Sequence, residues 1–183
     1  MTIYILFGEM GCGKNYVGKK LANHLGCEFF DGDDVLPDFL KEKVKNFKPI
    51  SITDLDTYIR SNLIPSILEK ASQEKDLVVA QALYRERHRY FLQAVLNPGP
   101  VKFVYVRAPS LWANMKRLYG REKGFRWALF GLFNGLFFQV PVNNNPFMTG
   151  VPKEYIISYL EIKNKTDADL TPQFERLVGE LSA

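Results

Sequence analysis

Short apolar runs separated by amphipathic stretches set the pattern of this chain. Ile3-Tyr4-Ile5-Leu6-Phe7 is β-branched and aromatic without a polar break, and reads as a buried strand. Val17, Leu21 and Leu25 recur every four residues, which predicts a helix that Gly26 stops. Cys27 to Phe30 reads as a second strand, and a polar helical region runs from about Pro37 to Phe47. Ser51 or Thr53 caps a longer helix reaching about Gln73, with Leu55, Ile59, Leu63, Ile67 and Leu68 on its apolar side and Pro65 bending it. Asp76 to Gln81 is almost continuously apolar, as a strand covered on both faces should be. A basic helix from Arg85 to Leu96 stops at the Pro and Gly residues before Val101, where a fourth strand runs to Val106. Pro109 and Ser110 open a helix from Leu111 to Arg121, Tyr155 to Ile162 forms a fifth strand, and Thr171 caps a last helix reaching Leu181 with Pro172 in its first position. Strands alternating with helices predict an α/β fold: a five-stranded parallel sheet between two helical layers, in one domain over residues 1–183.

The junction between the first strand and first helix carries the strongest chemical signal. Gly8-Glu9-Met10-Gly11-Cys12-Gly13-Lys14-Asn15-Tyr16 fits G-x-x-x-x-G-K, the phosphate-binding loop. Glycines there free backbone N–H groups to point at an anion. The helix dipole favours negative charge at the same place, and Lys14 adds a point charge for the outer phosphates. A glycine turn that binds nothing is the competing reading, and strand, helix and lysine in register argue against it. One position departs from the motif. Asn15 stands where a Ser or Thr hydroxyl ordinarily ligates Mg²⁺.

In a parallel sheet the residues following each strand meet at one edge, where ligands bind. After the second strand come Asp31, Asp33 and Asp34, three carboxylates in four positions. Either they form a solvated turn, or one holds Mg²⁺ through water while another accepts a proton from a substrate hydroxyl. After the third strand, Gln81 leads to Arg85, Arg87, His88 and Arg89. This cluster could grip an acidic substrate or be a solvated helix face, with His88 at the surface or in packing.

Bulk properties narrow the classes. A net charge of +4 suits small polyanions as well as RNA and decides little. Cys12 and Cys27 read as reduced thiols of a cytoplasmic protein, not a disulfide frame. A chain opening directly on a core strand leaves no room for a signal peptide. The apolar stretch from Trp127 to Val142 is shorter than a spanning helix and is interrupted by Gly131, Asn134, Gly135, Gln139 and Pro141, so no transmembrane segment is expected.

These motifs together resemble the gluconate kinases and, more distantly, the shikimate and nucleoside-monophosphate kinases. The resemblance rests on the glycine loop, on Asp31-Gly32-Asp33-Asp34-Val35-Leu36-Pro37 with the later Pro49-Ile50, and on Val78 to Leu83. Phe103 to Val106, the run Arg117-Leu118-Tyr119-Gly120-Arg121 and the segment Glu161 to Thr166 add to it. It implies a three-layer P-loop kinase fold with a lid insertion at about 122–150, using ATP and Mg²⁺. Gly8, Gly11, Gly13 and Lys14 fall on phosphate-binding positions within a nucleotide cradle reaching Tyr16. Asp31 falls on the metal-side carboxylate, with Asn15 beside it, and Asp33 on the carboxylate that meets the substrate hydroxyl. Arg117 and Arg121 fall on lid arginines that screen the transferring phosphoryl group, and Asn164 and Thr166 lie near the base. Gln81 and Arg85 lie at the acceptor side. Departures at Asn15, Leu36, Gln81, Tyr84 and the apolar lid leave gluconate itself unsupported as the substrate.

Three functions follow. The first is a small-molecule kinase acting on a hydroxyl of a polar metabolite. The second is a nucleotide-binding partner or regulatory protein with weak or no transfer, using the apolar stretch 125–142 for a protein partner or self-association. The third, a polynucleotide kinase, rests only on Arg85, Arg87 and Arg89 and mild basicity, which alone do not point to nucleic acid.

Overall fold

A computed structural model describes residues 1–8, 11–46, 48, 50–71, 75–83, 85–96, 100–108, 110, 116–117, 159–164 and 167–182. The expected lid at 122–150, the apolar stretch 125–142, and Glu9, Met10, Tyr84, Arg121 and Thr166 lie outside these residues.

Five parallel strands form the sheet: β1 (Ile3–Phe7), β2 (Glu28–Asp31), β3 (Leu77–Ala80), β4 (Val101–Arg107) and β5 (Tyr159–Lys163), in the order β2-β3-β1-β4-β5. The chain therefore starts at the centre, builds one side, and crosses β1 to build the other. Every β1 residue is buried, because both faces of a central parallel strand are roofed by helices. Alternation sorts its side chains. Ile3, Ile5 and Phe7 join Leu77, Val79, Phe103 and Tyr105 in one core, whereas Tyr4 and Leu6 join Val78, Val104 and Val106 in the other. The second core is closed by α1 (Lys14–Leu25) through Val17, Leu21 and Ala22, and by α6 (Asp167–Ser182) through Leu170, Phe174 and Leu177.

The first core is closed by α2 (Asp38–Lys45), α3 (Ile52–Tyr58), α4 (Ile64–Ala71) and α5 (Glu86–Val95). Ser51 caps α3, its hydroxyl accepting from Asp54 N at 3.1 Å while Asp54 Oδ2 accepts from Ser51 N at 2.7 Å. Of the two expected caps, Ser51 is therefore the one used. The bend expected at Pro65 takes the form of a wide π-turn over Ile59–Leu63, closed by Ile64 N donating to Ile59 O. Proline has no N–H for the carbonyl four residues earlier and its ring crowds that carbonyl. Widening the preceding turn relieves the conflict without ending the helix.

The last helix corrects one expectation. It begins at Asp167, so Thr171 and Pro172 lie inside it and do not open it. The local sequence signal is a cap, but Leu170, immediately before it, already packs with Phe174 and Leu177 against the second core, and the helix begins a turn earlier. Among the described residues no helix is long and apolar enough to cross a membrane.

The capping box gives a test. Ser51→Ala should cost about 1 kcal/mol, read from the urea midpoint. Asp54 accepts from Lys43 Nζ at 2.6 Å and from Ser51, and these bonds hold its carboxyl down at about 2. A carboxyl depressed on folding stabilises above its unfolded value and loses that contribution as pH falls towards its folded one. Between about pH 4 and pH 2, Asp54→Asn should therefore flatten part of the acid-side loss of stability.

Candidate active site

The glycine loop leaves β1 beneath the end of β4. A Cβ on Gly8 would stand 2.3 Å from Val106 O, so no side chain fits there. At Gly13, φ is +93° and a Cβ would stand 2.2 Å from Asn164 Nδ2. Only glycine combines that dihedral with so close an approach. Its main chain then enters α1, whose first residue is Lys14. Lys14 Nζ donates to Gly8 O at 3.1 Å and lies 4.0 Å from Cys12 Sγ, which holds the ammonium over the loop.

Behind the loop, Cys12 O accepts from two directions. Asn164 Nδ2 donates at 2.9 Å and Arg117 Nη1 at 3.1 Å, while Arg117 Nη2 reaches Asn164 O at 3.3 Å. Asn164 is buried and fixed to the sheet by its own N–H on Arg107 O at 3.0 Å. Arg117 and Asn164 thus meet at the back of the loop.

Register brings the carboxylates to the same edge, because Asp31 of β2 pairs with Ala80 of β3, and Ala80 with Leu6 of β1. Asp31 caps a 3₁₀ turn over Gly32–Val35, its Oδ1 accepting from Asp33 N at 3.1 Å. Its other oxygen accepts from the Asn15 side-chain amide. Tyr58, buried on the end of α3, donates its hydroxyl to Gly32 O at 2.7 Å. Burial, with Asp33 and then Asp31 adding negative charge, pushes the Tyr58 phenol up, so it stays a neutral donor.

A cavity of about 220 Å³ is lined by Gly11, Gly13, Lys14, Asn15, Tyr16, Asp31, Asp33, Ala80, Gln81 and Ala82. Glycine loop, carboxylate turn and the residues after β3 therefore share one space. Gln81 is 6% exposed and its Oε1, packed over Gly32, finds no partner among the described residues. Phosphate suits the loop, since Gly8 and Gly13 can carry no side chain, Lys14 lies over it and α1 begins there. Mg²⁺ fits the oxygens of Asp31 and Asn15 by chemistry. Among the described residues, however, no trio of His, Cys, Asp or Glu could hold a metal alone. Phosphate and water oxygens would complete the shell.

The basic run after β3 does not form one patch. Arg89 is buried, donates to Leu83 O at 2.6 Å and lies 4.6 Å from the Phe7 ring centroid, bracing the end of β1. Arg87 pairs with Asp56, as does His88 at 2.9 Å, and burial holds the His88 imidazole below its ordinary value. Arg85 precedes α5 outside the cavity lining. Sequence reading passed over Tyr58, because the leucine and isoleucine stripe of its helix accounted for that stretch. An aromatic hydroxyl facing the strand ends was the available signal.

The family model for shikimate kinase matches residues 10–122. Thermoresistant gluconokinase of Escherichia coli (strain K12) is 28% identical over 105 residues, covering 57% of this chain and 58% of that protein. The chain thus spans little more than half of that relative's length. A crystal structure of a gluconokinase from Sinorhizobium meliloti 1021 superposes with a TM-score of 0.68 at 17% identity, covering 99% of this chain and 95% of the other. An unliganded sugar kinase from Janibacter sp. HTCC2649 gives 0.70 at 18% identity, covering 100% and 95%. These two likenesses establish the P-loop kinase fold.

Gly13→Ala tests the close approach. Asn164 can make room only by leaving Cys12 O, and the positive φ stays strained in any case. The variant should lose about 1–3 kcal/mol of stability, seen as a melting temperature lower by several degrees.

Proposed function

The chain belongs to the shikimate kinase family, and we propose that it transfers a phosphoryl group from ATP to a hydroxyl of a small polar metabolite. The observation that carries this reading is the single cavity in which Lys14 and the glycine loop face Asp31 and Asp33. Phosphoryl transfer asks little covalent chemistry of a protein and much positioning and charge compensation, which such a cavity can supply.

In this reading Gly8, Glu9, Met10, Gly11, Cys12, Gly13, Asn15 and Tyr16 surround the phosphates, and Lys14 offsets charge on the outer ones. Asp33 accepts the proton of the acceptor hydroxyl as its oxygen bonds to phosphorus and the bond to the ADP oxygen breaks. Arg121 screens the charge that spreads over the transferring group, Arg117 would have to leave its place on Cys12 O to join it, Asn164 and Thr166 lie on the base side, and Gln81 faces the acceptor with Arg85 outside the cavity lining. Asp31 and Asn15 would hold Mg²⁺, which when bound neutralises phosphate charge. The acceptor belongs to the class of sugar acids and related polyols, by analogy with the named relatives. A cytoplasmic setting suits such a substrate.

One observation favours a second reading, a nucleotide-binding protein with weak transfer. The Asn15 amide donates to Asp31, so part of the metal-side carboxylate is engaged by a group that a Ser or Thr hydroxyl would not match. Exchange at that position separates the readings.

Lys14→Ala should weaken ATP binding at least tenfold by calorimetry, and equal affinity would sink the reading of the loop. Asp33→Asn should lower kcat by about 10²–10⁴ with ATP affinity kept. Asn15→Ser or Asn15→Thr should tighten Mg²⁺·ATP and raise turnover. Tightening without any phosphorylated product, across sugar acids and polyols, would favour the binding protein.

A further inference from the structure

We propose that Tyr58 is a positioning residue: its hydroxyl, by holding Gly32 O, sets the turn that aims Asp33 at the acceptor hydroxyl. This rests on the phosphotransfer reading above and adds to it a residue from outside the cavity lining.

The turn is held at several points. Gly32 has no side chain, and Asp33 and Asp34 are exposed. Its internal bonds are the Asp31 cap on Asp33 N and the 3.3 Å bond from Leu36 N to Asp33 O. Both bonds fix the shape of the turn, the Asn15 amide on Asp31 ties its start to α1, and Val35 and Leu36 pack its end against the first core, but none of these reaches the Gly32 carbonyl. Tyr58 does. It is 1% exposed, its ring belongs to the first core, and its hydroxyl ends 2.7 Å from the carbonyl lying between Asp31 and Asp33. Rotation of the peptide following Gly32 would swing Asp33 relative to the loop, and the bond to its carbonyl opposes that rotation. A Cβ on Gly32 would stand 2.9 Å from Gln81 Oε1, 3.1 Å from Leu63 Cδ1 and 3.2 Å from Ala80 O, so the peptide is also packed from three sides. The Asp31 cap holds the N–H of this same peptide, and the Tyr58 hydroxyl holds its carbonyl from the core side, so the two bonds together set its direction. A buried neutral phenol suits the task because it donates without adding charge beside two carboxylates.

Tyr58→Phe removes one oxygen and keeps the ring in the core. The tests are steady-state kinetics with ATP and a panel of gluconate, shikimate and sorbitol, and backbone amide exchange followed by mass spectrometry. The variant should keep its KM for ATP, lose about tenfold in kcat, and exchange faster over residues 32–36 but not over α1. Unchanged kcat together with unchanged exchange would overturn the proposal. So would a fall in kcat matched by weaker ATP binding and faster exchange throughout, which marks general loosening. If the wild type phosphorylates none of the panel, the phosphotransfer reading loses its support. The exchange result still decides whether Tyr58 sets the turn.

Discussion

A backbone that turns its N–H groups towards a ligand must turn carbonyls the other way, and those carbonyls need donors. The glycine loop meets that demand at Cys12, whose oxygen takes one bond from Asn164 and one from Arg117. Much follows from this arrangement. Asn164 is buried at the end of β5, so the outer strand of the sheet is tied to the loop after the central one. Arg117, from the segment after β4, is drawn to the same carbonyl. Three parts of the chain far apart in sequence are therefore fixed by the geometry of one peptide, and Gly13 must lack a side chain to let Asn164 come that close.

On the other side of the cavity the organising element is Asp31. Each of its oxygens is engaged, one by the backbone of Asp33 and one by the Asn15 amide. The first bond is local and shapes the turn; the second joins the turn to α1 across the cavity mouth. A hydroxyl at position 15 would be shorter and would carry one hydrogen, whereas the amide carries two. The departure from the motif is thus more than a missing metal ligand. It introduces a direct link between the two walls of the site.

Elements with strong periodic or punctuation signals were legible from sequence: the five strands, the glycine loop, the Gly26 stop and the grouping of strand ends at one edge. The gathering of Gly11, Gly13, Lys14, Asn15, Asp31, Asp33 and Gln81 around one cavity followed from the parallel topology, since a parallel sheet leaves no other place for the residues after its strands. What escaped was set by tertiary packing. Thr171-Pro172 reads as a helix start, yet Leu170 just before it is packed in the second core and the helix runs through from Asp167. Arg89 reads as either a grip for an acidic substrate or part of a solvated helix face, yet it is buried, with one carbonyl and one ring accepting it. Neither partner is near it in any pattern that spacing reveals. Tyr58 belongs with these, as its partner lies 26 residues away.

The π-turn at Ile59–Leu63 also sets the angular phase of the helix around it. In an unbroken α-helix, successive residues advance by about 100°. Tyr58 and Ile67 are nine positions apart and would then face roughly opposite sides. Both are buried in the same core. The wide turn absorbs about one residue of advance, which swings Ile67 back to within about 80° of Tyr58. One continuous helical segment can thus present a polar-tipped side chain to the carboxylate turn at one end and a purely aliphatic face to the sheet at the other. Closing that turn to ordinary α-helical spacing with all its residues kept would set those two tasks against each other, whereas deleting one residue from 59–63 would leave the phase as it is.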